Sequence, residues 1–316
     1  MLKEMNRREF IKASAAAGAV LMIGSISPAL EEFKPIQPER SPLHLSYKEV
    51  NKMRDNPFFK DTPRRTLDMA GEPIEFPILY YDLRMIEAVF KTKTTAIKKI
   101  LPHSNYKPIE IWPGTGLLGI AAYEYFDTSI GPYNELAISV PIRFPPSFAF
   151  PGLAAKSMMR KKLFSVYIHH LPVTTEIALK AGIYFWNYPK FLAEISFKDE
   201  GSNLEVTLKE KEEIILKMRA KKLSLDRSSK LTFHSYSIKD KVVMRGLIEV
   251  WASKFGETMS GGDAELELGG HRISKELAEL NPSKRARSGM YAESMMAKLY
   301  DPDIRWNVDT LEKIPG

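Results

Sequence analysis

The chain has 316 residues, 44% of them apolar, with no cysteine and a formal charge of +7. That length accommodates one large domain or two ordinary ones around a real core. The lack of cysteine excludes disulfides, thiolate catalysis and zinc ribbons. Residues 1–29 hold four basic residues against two acidic ones, which leaves +5 beyond them. This excess could favour anionic substrates or surfaces, but it is too small and dispersed to argue for nucleic acid.

The N-terminus reads as a targeting segment. Asn6-Arg7-Arg8-Glu9-Phe10-Ile11-Lys12 is a twin-arginine pattern, Ala13 to Ile23 is weakly apolar, and Ser27-Pro28-Ala29 offers small residues for cleavage. That order is expected of a Tat signal over 1–29, with a periplasmic or extracellular destination. The apolar stretch is about half the length of a membrane span, so no integral span is expected. Residues 30–75 are rich in proline and charge and read as an arm or linker, with one short helix near Tyr47–Arg54.

From Pro77 the pattern changes, and a single domain is expected over 76–316. Strands are expected over Ile78–Phe90, Ile109–Trp112, Leu117–Phe126, Leu136–Phe144 and Leu163–His170, with a helix over Thr94–Leu101 stopped by Pro102. A helix over Thr174–Tyr184 follows. Beyond it, Phe191–Lys198, Leu204–Lys209, Glu213–Leu225 and Leu231–Val243 suggest a meander, with further strands at Leu247–Lys254 and Ala264–Leu268. Ile273–Leu280 and Tyr291–Leu299 read as helices. Many short strands with few helices give an α+β chain, mainly antiparallel β, built as a barrel or sandwich with a few flanking helices.

Two patterns are expected to be structural. Gly114-Thr-Gly116-Leu-Leu-Gly119 has dinucleotide-loop spacing, but Trp112-Pro113 interrupts the strand that should precede it and a strand follows it. It reads as a glycine turn, and no cofactor is expected. His169 and His170 are adjacent, so strand alternation would point them to opposite faces, and no metal site is expected.

The run Glu176-Ile-Ala-Leu-Lys-Ala-Gly182-Ile-Tyr-Phe-Trp-Asn-Tyr-Pro189-Lys190-Phe191 sets one lysine among aromatic and aliphatic side chains. A buried ammonium costs several kcal/mol unless paired or neutral, and a neutral lysine is a nucleophile toward ketones. A lysine that snorkels to solvent at a strand edge is the plainer alternative. This segment, with Glu176, Gly182, Tyr188, Pro189 and Lys190, resembles the active-site region of the acetoacetate decarboxylase family. Similarity also covers Tyr80-Tyr-Asp-Leu-Arg84 through Thr92, Gly131-Pro-Tyr133-Asn-Glu135, Tyr167-Ile-His169-His170, and Gly262 through Tyr291-Ala292, in all roughly residues 75 to 302.

The resemblance implies a homo-oligomeric β-barrel enzyme in which Lys190 forms a Schiff base with a small keto-acid substrate. It implies that Glu135 is a pocket carboxylate, that Arg84 (matched with one gap) binds the substrate carboxylate, and that Tyr133, His169 and Phe191 border the pocket. Four departures stand out. Phe191 replaces a second lysine, Ile183-Tyr184 replaces an Arg-Glu pair, a further family carboxylate falls near Ala121, and Arg84 needs its gap. They weigh against acetoacetate itself as substrate and leave the Schiff-base lysine in place. Without the neighbouring cation, desolvation by Phe185, Trp186, Tyr188 and Phe191 would have to supply a free amine. That means a shift of roughly three units from about 10.4, or about 4–5 kcal/mol. Expected outcomes are decarboxylation, or aldol, retro-aldol or dehydration chemistry on the same lysine. The alternative from another class is an exported binding protein without turnover.

Overall fold

The computed structural model describes residues 54–259 and 263–314. The signal segment and most of the helix expected near Tyr47–Arg54 lie outside the described residues. A short helix α1 (Pro57–Lys60) opens the described chain, followed by the hairpin β1 (Arg65–Met69) and β2 (Glu72–Phe76). The helix and all but the last residue of the hairpin fall within the stretch expected as an arm. They are anchored by apolar side chains, since Phe59, Met69, Ile74 and Phe76 are all buried.

Next come β3 (Ile78–Lys93), α2 (Thr94–Ile100), β4 (Lys107–Pro108), β5 (Thr115–Thr128), β6 (Tyr133–Arg143), α3 (Leu153–Lys161) and β7 (Leu163–His170). The chain continues through α4 (Glu176–Trp186), β8 (Glu194–Glu200), β9 (Asn203–Glu210), β10 (Glu213–Lys221), β11 (Arg227–Lys239) and β12 (Val242–Thr258). It ends with β13 (Ala264–Leu268), α5 (Arg272–Glu279), β14 (Ser288–Leu299), β15 (Ile304–Asn307) and β16 (Lys313–Ile314). Among these elements no helix is long and apolar enough to cross a membrane.

Seven strands close a barrel in the order β11-β7-β6-β5-β3-β14-β12, and β12 pairs back to β11. All neighbours are antiparallel except β7 and β11, which run parallel. A second sheet, β13-β10-β9-β8, covers the outer face of β3, β5 and β6. Its Ile195, Leu204, Val206, Leu208, Leu216 and Met218 pack against Ile86, Ala88, Phe90, Leu118, Ile120, Leu136 and Ile138. Strand alternation therefore gives the barrel two apolar surfaces, one turned to this sheet and one turned inward.

Most expected elements form close to their expected bounds, and the exceptions have local causes. Leu231–Val243 is two strands, because Asp240 and Lys241 both take positive φ (49° and 66°) and make a two-residue hairpin turn without the usual Asn-Gly signal. Tyr291–Leu299 is not a helix but part of β14. Its helix-favouring Ala, Glu, Met and Lys are overridden by pairing with β3 on one side and β12 on the other. Ile109–Trp112 forms no regular strand and makes only a bridge between Trp112 and Thr115. Gly114 is indeed a turn glycine, with φ +76° just before β5. α3 was not expected; none of its side chains is fully buried, which leaves little helical periodicity to read.

Candidate active site

Lys190 reaches its position through a helix stop and a close backbone approach. Helix α4 ends at Asn187, which takes the left-handed conformation (φ 52°) that asparagine tolerates well, and Pro189 prevents continuation. The lysine stem then runs across Gly182 of α4. A Cβ at position 182 would overlap Cδ and Cε of Lys190, so the glycine gives the side chain its passage.

The Lys190 ammonium donates to Oε2 of Glu135 at 2.5 Å, and both side chains are nearly buried. Tyr125 donates its hydroxyl to the other carboxylate oxygen at 3.0 Å. Burial, reinforced by the Glu135 charge, pushes the hydroxyls of Tyr80 and Tyr125 well above the usual phenol range, so both stay protonated. Tyr133 shares a hydrogen bond with Tyr80 at 3.0 Å, and its ring centroid is 5.9 Å from the lysine nitrogen.

Backbone ladders fix this pair. Val173 bridges Glu135 on one side and Leu192 on the other. Leu136 N–H donates to Pro172 and Thr174 N–H to Asn134. On the opposite edge Leu171 N–H donates to Pro189, Val173 N–H to Phe191 and Ala193 N–H to Val173. Residues 171–174 are thus a rung between the strand carrying the carboxylate and the turn carrying the amine.

The pair opens on a cavity of about 110 Å³ inside the barrel. For scale, a cavity of roughly 150 Å³ holds benzene. Ala121, Ala137, Val166, Ile168, Ile248, Val250, Met295 and Leu299 make its wall apolar, and Tyr80, Tyr123, Tyr125, Tyr133, Tyr188 and Ser235 add hydroxyls. Tyr188 and Ser235 hydrogen-bond each other at 2.6 Å.

The structure brings together Lys190, Glu135 and Tyr133, but it places Arg84, His169 and Phe191 elsewhere. Ile78, Tyr80, Leu83 and Glu87 line the cavity, so the inward phase of β3 passes from even to odd positions. The change occurs at a register irregularity at Asp82. Arg84 consequently points to the second sheet, where it pairs with Glu124, its register partner on β5, beside Asp199 (3.9 Å) and the Phe197 ring (5.9 Å). Phe191 packs with the cluster between the barrel and the second sheet, and Phe185 is likewise absent from the cavity wall. Of the four aromatics expected to desolvate the lysine, only Trp186 and Tyr188 line the cavity.

His169 is outside the cavity as well. Both His169 and His170 hydrogen-bond Glu276 of α5, contrary to the expectation of opposite faces. The ladder of β7 skips from Ile168 to His170, and this bulge at His169 breaks the alternation. Burial and the neighbouring imidazole hold His170 well below the usual histidine range, at about 4. The donor atoms of these three residues lie within 4.8 Å of one another. That spacing suits a hydrogen-bonded clasp and would also suit three ligands of a cation.

One cavity residue escaped the sequence reading. Glu87 lines the chamber, and its Oε2 has no hydrogen-bond partner among the described residues. Burial alone raises its carboxyl to about 7. It is the register partner of Ala121, the position near which a further family carboxylate was expected. A carboxyl group thus stands on the strand beside Ala121, and only strand register could have revealed it.

Residues 61–301 match the family Acetoacetate decarboxylase (ADC). The chain belongs to this family. Residues 4–24 match the TAT (twin-arginine translocation) pathway signal sequence. Acetoacetate decarboxylase from Legionella pneumophila subsp. pneumophila str. Philadelphia 1 shares the fold at 16% identity, over 79% of this chain and 94% of that one, with a TM-score of 0.51. A second acetoacetate decarboxylase structure aligns at 17% identity over 85% and 98%, with a TM-score of 0.49. An enduracididine biosynthesis enzyme complexed with pyruvate aligns at 12% identity over 72% and 89%, with a TM-score of 0.46. No curated protein is significantly similar in sequence.

The glycine passage is testable. Gly182→Ala is expected to leave the fold intact, because the far end of a flexible side chain can move aside. It should displace the lysine nitrogen from Glu135 and lower imine formation by roughly 10²-fold, since misplacement by about 1 Å can cost that much. Borohydride trapping rates and circular dichroism of the variant check this. Unchanged trapping would show that the lysine tolerates a methyl group at 182.

Proposed function

We propose that this protein is a Schiff-base lyase that decarboxylates a small β-keto acid on Lys190. The observation that carries the reading is the buried Lys190–Glu135 pair, 2.5 Å apart, facing a small apolar chamber. An ammonium is not a nucleophile, so the first step is proton transfer along this hydrogen bond to Glu135. The free amine then adds to the ketone carbon. The carbinolamine loses water with a proton returned from the carboxyl, giving an iminium. The iminium draws the C–C bonding electrons toward nitrogen, CO₂ leaves, and an enamine remains to be protonated and hydrolysed. The low-dielectric chamber favours a step in which carboxylate charge is neutralised against the iminium.

A second reading, aldol or dehydration chemistry on the same lysine, gains support from one observation. Arg84 is turned away, and Lys190 is the one basic side chain among the described residues that line the chamber. A carbonyl substrate without a carboxylate would suit such a site.

The test is intact-mass analysis after borohydride reduction with a panel of β-keto and pyruvoyl acids, followed by peptide mapping. A substrate-sized adduct on Lys190 is expected, lost in Lys190→Ala and retained in Glu135→Gln. The latter should slow turnover by about 10²–10⁴-fold, the usual contribution of acid–base catalysis. Full activity in Lys190→Ala sinks the mechanism. No adduct from folded protein favours a ligand-binding role, and CO₂ release separates decarboxylation from aldol chemistry.

We infer that the Tat signal directs export to the periplasm or beyond. Replacing Arg7 and Arg8 by lysine should leave the protein in the cytoplasm with Met1 retained. Cell fractionation and N-terminal mass spectrometry check this, and unchanged export would contradict it. A homo-oligomer is also proposed. Phe148 and Phe150 stand 85% and 63% exposed on one loop, a surface suited to burial by another copy. Light scattering is expected to give a multiple of the chain mass that falls in the double variant Phe148→Ser, Phe150→Ser. A monomer at all concentrations refutes it.

A further inference from the structure

The chamber holds two carboxyl groups in opposite surroundings. Glu135 is hydrogen-bonded on both oxygens, by Lys190 and Tyr125, which suits an ionised base. Glu87 has an oxygen with no hydrogen-bond partner among the described residues, and burial holds its carboxyl above the usual range. Two carboxyl groups in one chamber, one hydrogen-bonded to a lysine and one buried against apolar walls, can serve one reaction as base and acid. We propose that Glu87 is the general acid that delivers a proton to the enamine carbon formed on Lys190. This assignment rests on the imine chemistry proposed above.

Register supports the placement. Glu87, Ala121 and Ala137 form one row across β3, β5 and β6, and Tyr123 and Glu135 form the next row on the same face. Strand spacing then puts the Cα atoms of the two glutamates about 12 Å apart. The two alanines keep the floor between them clear, and both line the chamber. A substrate of a few carbons tethered to Lys190 lies over that floor. Glu87 also borders a second apolar cavity with Ser139, Val166, Phe233 and Arg287. The titratable and charged groups facing it are therefore Tyr123, Glu135 and Lys190 on one side and Arg287 on the other. A carboxyl poised near 7 can both give and regain a proton at neutral pH.

In the proposed step the Glu87 O–H breaks, the enamine π electrons form the new C–H bond, and the iminium is restored. Glu87 is left as carboxylate, regains a proton from solvent, and water hydrolyses the iminium. The same step in reverse makes the enzyme exchange the α-hydrogens of a simple ketone with solvent. That reaction can be followed without knowing the natural substrate.

The experiment uses acetone and pyruvate in D₂O, with deuterium incorporation read by NMR and imine by borohydride trapping at Lys190. Wild-type protein is expected to exchange α-hydrogens. The rate per imine should rise with pH through about 7, because abstraction needs the Glu87 carboxylate. Glu87→Gln should keep the Lys190 adduct, lose at least about 10²-fold in exchange and lose that pH limb. Wild-type exchange rates with adduct intact in Glu87→Gln overturn the assignment and leave the imine reading standing. No adduct with either ketone in wild type removes both. Should Glu87→Gln fail to fold, the wild-type profile decides, and a profile without the limb near 7 overturns the proposal.

Discussion

Everything in this site follows from burying a lysine and a glutamate together in an apolar chamber. Taking two charges out of water costs several kcal/mol per ion, and mutual attraction offsets that cost only with good geometry and satisfied remaining lone pairs. The Lys190–Glu135 contact and the Tyr125 hydroxyl meet those conditions. The surroundings serve the same end, with a glycine that clears the lysine stem and tyrosines held neutral by burial. The arrangement also differs from the shell of four aromatics that the sequence led one to expect: the lysine sits against a carboxylate, with only Trp186 and Tyr188 of the four on the cavity wall.

The second constraint is the phase of β3. One irregularity at Asp82 decides which residues face the chamber and which face the covering sheet. It turns Arg84 outward to Glu124 and Glu87 inward to the chamber. A barrel covered on one side by a sheet has no neutral face, so a shift by one residue changes the chemistry of the cavity and the stability of the outer layer together.

Much of this was legible in the sequence. Alternation and punctuation placed β7, β13 and the α2, α4 and α5 helices nearly to the residue, and the lysine turn was readable from Gly182, Tyr188, Pro189 and Lys190. What stayed hidden depends on neighbours distant in sequence. Helix-favouring residues in β14 yield to ladders on both sides, and the Asp240-Lys241 turn carries no strong local signal. The bulges at Asp82 and His169 reverse alternation without any marker in composition, so Arg84 and His169 lie off the faces expected of them and Glu87 lines the chamber unannounced. Phe191 leaves the cavity for a related reason: adjacency to Lys190 in sequence does not imply a shared cavity.

The rung at residues 171–174 ties Glu135 and Lys190 by main-chain hydrogen bonds and one bond from Asn134 N–H to the Thr174 hydroxyl, while the opposite wall of the chamber is built from side chains of β12 and β14. The chemistry and the shape of the site are therefore mechanically separable. Exchanging Ile248, Val250, Met295 or Leu299 for larger or smaller residues would recut the space offered to a substrate without touching the two ladders that hold amine and acid in register. This scaffold is one on which selectivity can be redesigned from a single side while the reactive pair is left alone.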